Sequence, residues 1–284
     1  MNLLSQIDLD DLIRRALAED VGQGDITTAA TVPSNQPGSA AITVKESGFI
    51  IFCGGPILSQ VFQVAGARPL VESCVAEGSR LEQGVVAAKI EGLLAGLLIG
   101  ERVALNFVQM MSGIATATRR YVDAVAGTGA KIVDTRKTHP GLRAIEKYAV
   151  RCGGGRNHRF GLDSGVLIKD NHIAAAGSIR EALDRARALA PHTFRIEIEC
   201  ETLAQVEQAI AHGAESILLD NMNLDDLRQA RKIAGKSVAL EASGGITLET
   251  VRAIADTGVD LISVGALTHS PKAVDLSMRI EATL

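Results

Sequence analysis

From residue 131 onward the chain alternates two textures. Short runs dense in aliphatic and β-branched residues, KIVDT (131–135), VLIK (166–169), FRIEIE (194–199), SILLD (216–220), SVALEAS (237–243) and DLISVG (260–265), predict strands. Between them lie longer segments whose apolar positions repeat at helical spacing. In ETLAQVEQAIAHG, Leu203, Val206 and Ile210 form one stripe, and Thr202 with Gln205 three residues on predicts a capping box. SIREALDRARALA opens in the same way on Ser178 and Glu181, and NLDDLRQARKIAG is expected to start at the cap Asn223 and stop at Gly235. Strand–helix units joined by short connections predict a parallel sheet, closed into a barrel or doubly wound.

The first ~110 residues carry a different pattern. Strand-like SAAITVKESGFII and GVVAAKIEG flank a helical GGPILSQVFQVAG, which predicts a smaller α+β domain. Residues 93–127 are helical in pattern and bridge two domains, placed at 1–112 and 113–270. A last helix over about 271–284 is expected to pack back on the first domain.

Composition narrows the function classes. The 284 residues are 46% hydrophobic and 22% charged, with net charge −4, no Trp, two Tyr and six Phe. An acidic chain with so few aromatics argues against nucleic acid as a partner. Cys53, Cys74, Cys152 and Cys200 form no CxxC pair, so the expectation is reduced thiols. MNLLSQIDLDDLIRRAL is acidic and amphipathic, without the order of a signal peptide, and GLLAGLLIG is too short to span a bilayer. A cytoplasmic protein without a membrane partner is expected.

Charge is unevenly placed. Residues 131–172 hold nine Lys/Arg against four Asp/Glu, a net of +5, so the remainder carries −9. Within this stretch RCGGGRNHRF (151–160) joins three glycines to three arginines and a histidine. The strands end on Thr135-Arg136-Lys137, Lys169-Asp170, Glu199, Asp220, Glu241 to Ser243, and Val264-Gly265. In a barrel, strand C-termini converge on one mouth, where such folds place their chemistry. Arginine forks match carboxylates and phosphates, and glycine lets backbone N–H groups approach an anion. EASGGIT (241–247), ahead of a helical pattern, offers Ser243, Gly244 and Gly245 to a phosphate at a helix N-terminus, and SVGALTHS (263–270) adds Gly265 and Ala266. Glu199 and Asp220, each closing a strand, suit Mg²⁺ held with water.

Seven blocks carry a resemblance over essentially the whole chain: GERVALNFVQMMSGIAT, DTRKTHPGLRAIEKYAVRCGGGRNHR, LIKDNHI, IEIECE, LLDNM, EASGGI and ISVGALTHS, with EDVGQGDITT near the N-terminus. Together they resemble the quinolinate phosphoribosyltransferases, type II phosphoribosyltransferases also called nicotinate-nucleotide pyrophosphorylases (carboxylating). The family usually places Asp five residues after the loop arginine, where this chain has Ser164.

The resemblance implies an α/β fold, an N-terminal α/β sandwich with an open seven-stranded α/β barrel. It implies a homodimer or dimer-based hexamer, and conversion of quinolinate and phosphoribosyl pyrophosphate to nicotinate mononucleotide, pyrophosphate and CO₂. The family's functional positions fall on Arg102, Thr135, Arg136, Lys137, His158, Arg159, Lys169, Glu199, Asp220, Ser243, Gly244, Gly245, Val264, Gly265 and Ala266, with His269 as a further candidate. Arg136, Arg159, His158 and a partner subunit's Arg102 are expected on the carboxylates. Lys137 and Lys169 are expected between substrate and pyrophosphate, and Ser243, Gly244, Gly245 and Gly265 on the 5′-phosphate. Glu199 and Asp220 are expected to orient the ribose hydroxyls and Mg²⁺. Three alternatives stay open: a phosphoribosyltransferase using nicotinate, a Schiff-base aldolase built on Lys169, and a catalytically silent binding protein.

Overall fold

A computed structural model describes residues 9–281. In chain order it begins with α1 (Leu9–Val21), α2 (Ile26–Thr31), β1 (Pro37–Val44), β2 (Phe49–Ile51), α3 (Gly55–Val64), β3 (Leu70–Cys74), β4 (Arg80–Glu82), β5 (Val86–Leu93) and α4 (Leu94–Ala124). There follow β6 (Lys131–Val133), α5 (Arg143–Cys152), β7 (Val166–Ile168), α6 (Asp170–Ala176), α7 (Ile179–Leu189), β8 (Ile196–Cys200), α8 (Leu203–Ala211) and β9 (Ser216–Asp220). The chain ends with α9 (Leu224–Ala234), β10 (Ala239–Ser243), α10 (Val251–Ala255), β11 (Leu261–Ser263), α11 (Ala266–His269) and β12 (Leu276–Glu281). Contacts divide it into two compact units. One holds the described residues up to Arg119, Ala144–Gly154 and those from Ser270; the other holds Arg120–Arg143 and Gly155–His269.

The first unit is built on an antiparallel sheet of order β12-β1-β5-β3, with a separate β2-β4 pair. Its core gathers Ile42, Ile50, Phe52, Ile57, Phe62, Ile90 and Leu97, all fully buried. Hydroxyls of α4 satisfy backbone groups at and just after β2. Thr116 Oγ1 accepts the Ile51 N–H at 2.8 Å, and Ser112 Oγ accepts the Cys53 N–H at 3.0 Å. By length and composition α4 could cross a membrane, yet 56% of its most apolar window is buried inside the protein, as in a core helix.

The C-terminal helix expected over 271–284 is instead a strand. Leu276–Glu281 pairs antiparallel with β1, from Val44↔Leu276 to Ser39↔Glu281. Leu276 and Met278 are buried and Arg279 is exposed, the period of a strand. The open edge of β1 decides the matter, since edge pairing overrides weak helical propensity. Residues 282–284, and residues 1–8 of the amphipathic N-terminus, lie outside the described residues.

The second unit is a parallel sheet of order β6-β11-β10-β9-β8-β7. The seventh place in the ring, beside β6, is held by a single parallel bridge, Val133↔Arg156. The predicted caps are present. Asn223 accepts from the Asp225 and Asp226 N–H groups, Ser178 from Glu181 N–H, and Thr202 with Gln205 forms the capping box. Each such cap stabilises its helix by ~1 kcal/mol.

Candidate active site

Strand pleat places the site. Side chains two residues apart share a face, so Glu197 and Glu199, Leu218 and Asp220, and Glu241 and Ser243 pair up along their strands. The register sets Glu199 and Glu241 beside Leu218, and Ser243 beside Asp220. The strand ends line a cavity of about 490 Å³ with Thr135, Arg136, Lys137, His158, Arg159, Lys169 and Gly244-Gly245. Seven segments of sequence, far apart, thereby become one mouth.

Its rim is cationic. Arg136 and Arg159 each bury an Nε that has no hydrogen-bond partner among the described residues. Burial, reinforced by the charge of Arg136, pulls the Arg159 guanidinium below its ordinary pKa. Two adjacent guanidiniums with unspent donors are poised for an anion. Arg159 also donates to the Gly165 carbonyl at 3.0 Å, across the gap between the Arg156 bridge and β7. Arg143 ties the loops of this rim together: it donates to Thr138 Oγ1, to the Arg136 carbonyl and to the Phe160 carbonyl. The Lys137 backbone is held from both sides. Its N–H donates to Thr135 Oγ1, and its carbonyl accepts from the Thr268 hydroxyl at 2.7 Å.

The floor is acidic. Asp134 is fully buried and accepts the His158 N–H at 2.9 Å and the Asn157 amide, fixing the 157–158 turn. Nδ1 of His158 accepts the Arg159 N–H, so the ring proton sits on Nε2, which donates to Glu197 Oε2 at 3.0 Å. Glu241 lies 3.9 Å from the same Nε2. Burial, followed by the Glu197 charge, pushes the Glu241 carboxyl up to about 7. His158 therefore spends both ring nitrogens inside the protein. Its side chain nevertheless lines the cavity, beside Arg159, where a substrate carboxylate is expected.

Lys169 and Glu199 face each other at 3.1 Å, and Asp220 accepts the Asn221 amide at 2.7 Å. Asn221 takes a left-handed φ of 54° and donates its N–H to the Ser243 carbonyl. Its side chain closes so tightly over Gly244, at φ 100°, that a Cβ there would collide with Asn221 Oδ1. Gly245 faces open space. The expected helix N-terminus behind these glycines is absent. A Thr247–Thr250 turn intervenes and α10 starts at Val251, so the dipole argument for Ser243 to Gly245 does not hold. Val264 is buried, Gly265 packs against Lys137 and His269, and Ala266 opens the short α11; none lines the cavity. Arg102 is exposed on α4 in the first unit. Ser164 closes a Gly161–Ser164 turn, accepting the Gly161 N–H at 2.8 Å.

Glu197, Asp134, Asn221 and Arg143 are not among the site residues read from sequence, and Glu241 is read there only as a strand-end charge. The available signal was a charge inside an apolar run, as in IEIE, where Glu197 stands mid-strand with Ile on either side.

A parallel α/β barrel whose strand ends carry an acidic floor under arginines with unspent Nε donors among the described residues defines an enzyme class that handles polyanionic substrates. Comparison with known proteins narrows it. Residues 114–279 match the model of the quinolinate phosphoribosyl transferase C-terminal domain, and residues 25–112 that of its N-terminal domain. The chain is 46% identical over 279 residues to a probable nicotinate-nucleotide pyrophosphorylase (carboxylating) of Bacillus subtilis, covering 98% of this chain and 95% of that one. It is 47% identical to the Mycobacterium leprae nicotinate-nucleotide pyrophosphorylase (carboxylating), covering 97% and 99%. NadC from Streptococcus pyogenes superposes with TM-score 0.93 at 40% identity, covering 99% and 98% of the two chains. The chain belongs to the quinolinate phosphoribosyltransferase family.

Proposed function

We infer that the protein transfers the phosphoribosyl group of phosphoribosyl pyrophosphate to quinolinate with loss of CO₂, giving nicotinate mononucleotide and pyrophosphate for NAD biosynthesis. The observation that carries this reading is the pair Arg136–Arg159, two half-buried arginines on one cavity, each with a buried Nε donor unspent among the described residues. Quinolinate brings two carboxylates, and its co-substrate several further negative charges. Fixed cations offset the repulsion of bringing them together.

In this reading Arg136 and Arg159 bind the dicarboxylate, completed by Arg102 from the partner subunit of a homodimer, alone or within a hexamer. Lys137 and Lys169 hold the pyrophosphate side. Ser243, Gly244 and Gly245 take the 5′-phosphate, with Val264 to Ala266 and His269 supporting that end. Glu199 and Asp220 orient the ribose hydroxyls, and their charge favours an oxocarbenium-like ribosyl centre. Both are oxygen donors on the same cavity, a fit for Mg²⁺ that keeps its waters; bound there, it would supply charge neutralisation to pyrophosphate. Catalysis rests on positioning and electrostatics. Action in the cytoplasm belongs to the same proposal. Pyrophosphate release in the presence of quinolinate, phosphoribosyl pyrophosphate and magnesium tests the reading; no release would refute it.

A further inference from the structure

We propose that Cys53, Glu77 and Cys152 form a site in the first unit for one thiophilic divalent cation, best suited to zinc(II). None of the three lines the barrel cavity. They come from distant parts of the chain: the turn after β2, the loop after β3 and the last residue of α5. Cys53 Sγ, Cys152 Sγ and one Glu77 oxygen all lie within 4.8 Å of one another.

The spacing is that of a coordination sphere. Tetrahedral zinc, with bonds of about 2.3 Å to sulfur and about 2.1 Å to carboxylate oxygen, separates S from O by about 3.6 Å. Cys152 Sγ and Glu77 Oε2 stand 3.6 Å apart. The donors are also anchored. Gly54 and Gly55, at the start of α3, donate their N–H groups to the Glu77 carboxylate at 2.8–3.1 Å. These bonds orient the carboxylate and leave lone pairs for a metal, as outer-sphere donors do in established sites. Gly78 donates its N–H to the Phe52 carbonyl, and a Cβ on it would come 3.0 Å from the Cys152 carbonyl, so the Glu77 loop is pressed onto the end of α5. The Cys53 N–H is tied to Ser112 on α4. Cys74 Sγ flanks the same side: a Cβ on Gly55 would lie 2.9 Å from it and 3.1 Å from Glu77 Oε1. It lies outside the three-ligand cluster, and the fourth position is left to water.

On binding, two S–H bonds break, two zinc–sulfur bonds form, and two protons leave to solvent. Thiolates select zinc over magnesium, which demands oxygen.

The test uses the full chain, stripped with a chelator and kept reduced with a phosphine. Cobalt(II) is titrated as a spectroscopic probe and then displaced by zinc(II). One equivalent of cobalt is expected to give a thiolate-to-metal charge-transfer band, bleached by one equivalent of zinc with release of two protons. Cys152→Ser and Glu77→Gln are expected to weaken cobalt binding at least about 10-fold, and Cys200→Ser to leave the band unchanged. No charge-transfer band in the unmodified chain, which needs no variant to fold, overturns the proposal. So does an undiminished band in folded Cys152→Ser. Formation of a Cys53–Cys152 disulfide under peroxide, with no metal uptake by the reduced chain, also overturns it and assigns the pair to thiol oxidation.

Discussion

His158 Nε2 donates to Glu197 Oε2 at 3.0 Å while standing 3.9 Å from Glu241. One imidazole thus separates two carboxyls beneath the cationic rim. Glu241 is 1% exposed, and Glu197 also accepts the Ser216 hydroxyl.

A pH dependence of stability follows. The Glu241 carboxyl is raised from 4.5 to about 7, first by burial and then by the Glu197 charge. Between those values the folded chain keeps a proton that the unfolded chain has released, so stability falls as pH rises through this window. Glu241→Gln cannot ionise. Its unfolding profile from pH 5 to 8 is expected to be flatter than the parent's, with a relative gain at pH 8 of about 1–3 kcal/mol. Denaturant melts across that range check it; an equal offset at both ends contradicts the assignment.

Gly244→Ala places a methyl group against Asn221 at a left-handed φ. The strain is on the order of 1–3 kcal/mol and falls on the turn assigned to the 5′-phosphate. Thermal melts should show a modest loss, and calorimetry a much weaker affinity for phosphoribosyl pyrophosphate. Gly245 has a left-handed φ as well but faces open space, so Gly245→Ala should leave the Asn221 lock intact.

Lys169→Ala removes a partner of Glu199 whose side chain is 48% exposed. Such a pair contributes little to stability, so the melting temperature should barely move. Turnover should fall by about 10²-fold or more, because the cation is placed for developing negative charge. Steady-state kinetics beside a melt separates the two effects.

Arg102 yields a test of the shared site. Chains carrying Arg102→Ala are inactive in this account, as are chains carrying Lys137→Ala. Mixed and reassorted, half the dimers pair one of each, and one of their two sites is whole. Activity near a quarter of the parent's is expected. No recovery in verified mixed dimers contradicts contribution across the interface.

Much of the barrel was legible because its strands and helices obey two distinct periods, and caps such as Thr202–Gln205 mark where one gives way to the other. The rim was legible too, since Arg136, Lys137 and Lys169 follow directly on apolar runs. What stayed hidden depends on contacts distant in sequence. β12 became a strand because β1 had an edge to fill, and α10 started late because Thr247 and Thr250 bond each other first. Glu241, near the end of β10, gave no sign of its burial. His158 sits in the predicted loop, but which way its ring turned was decided by Asp134, Glu197 and its own neighbour Arg159.

The central claim is that this cavity joins a phosphoribosyl group to a dicarboxylate and then releases CO₂. Quinolinate labelled in its 2-carboxylate, given with phosphoribosyl pyrophosphate and magnesium, tests it most directly. The account predicts one labelled CO₂ for each pyrophosphate released, with none from nicotinate. Pyrophosphate release with nicotinate but not quinolinate, or label retained in the nucleotide product, would contradict it.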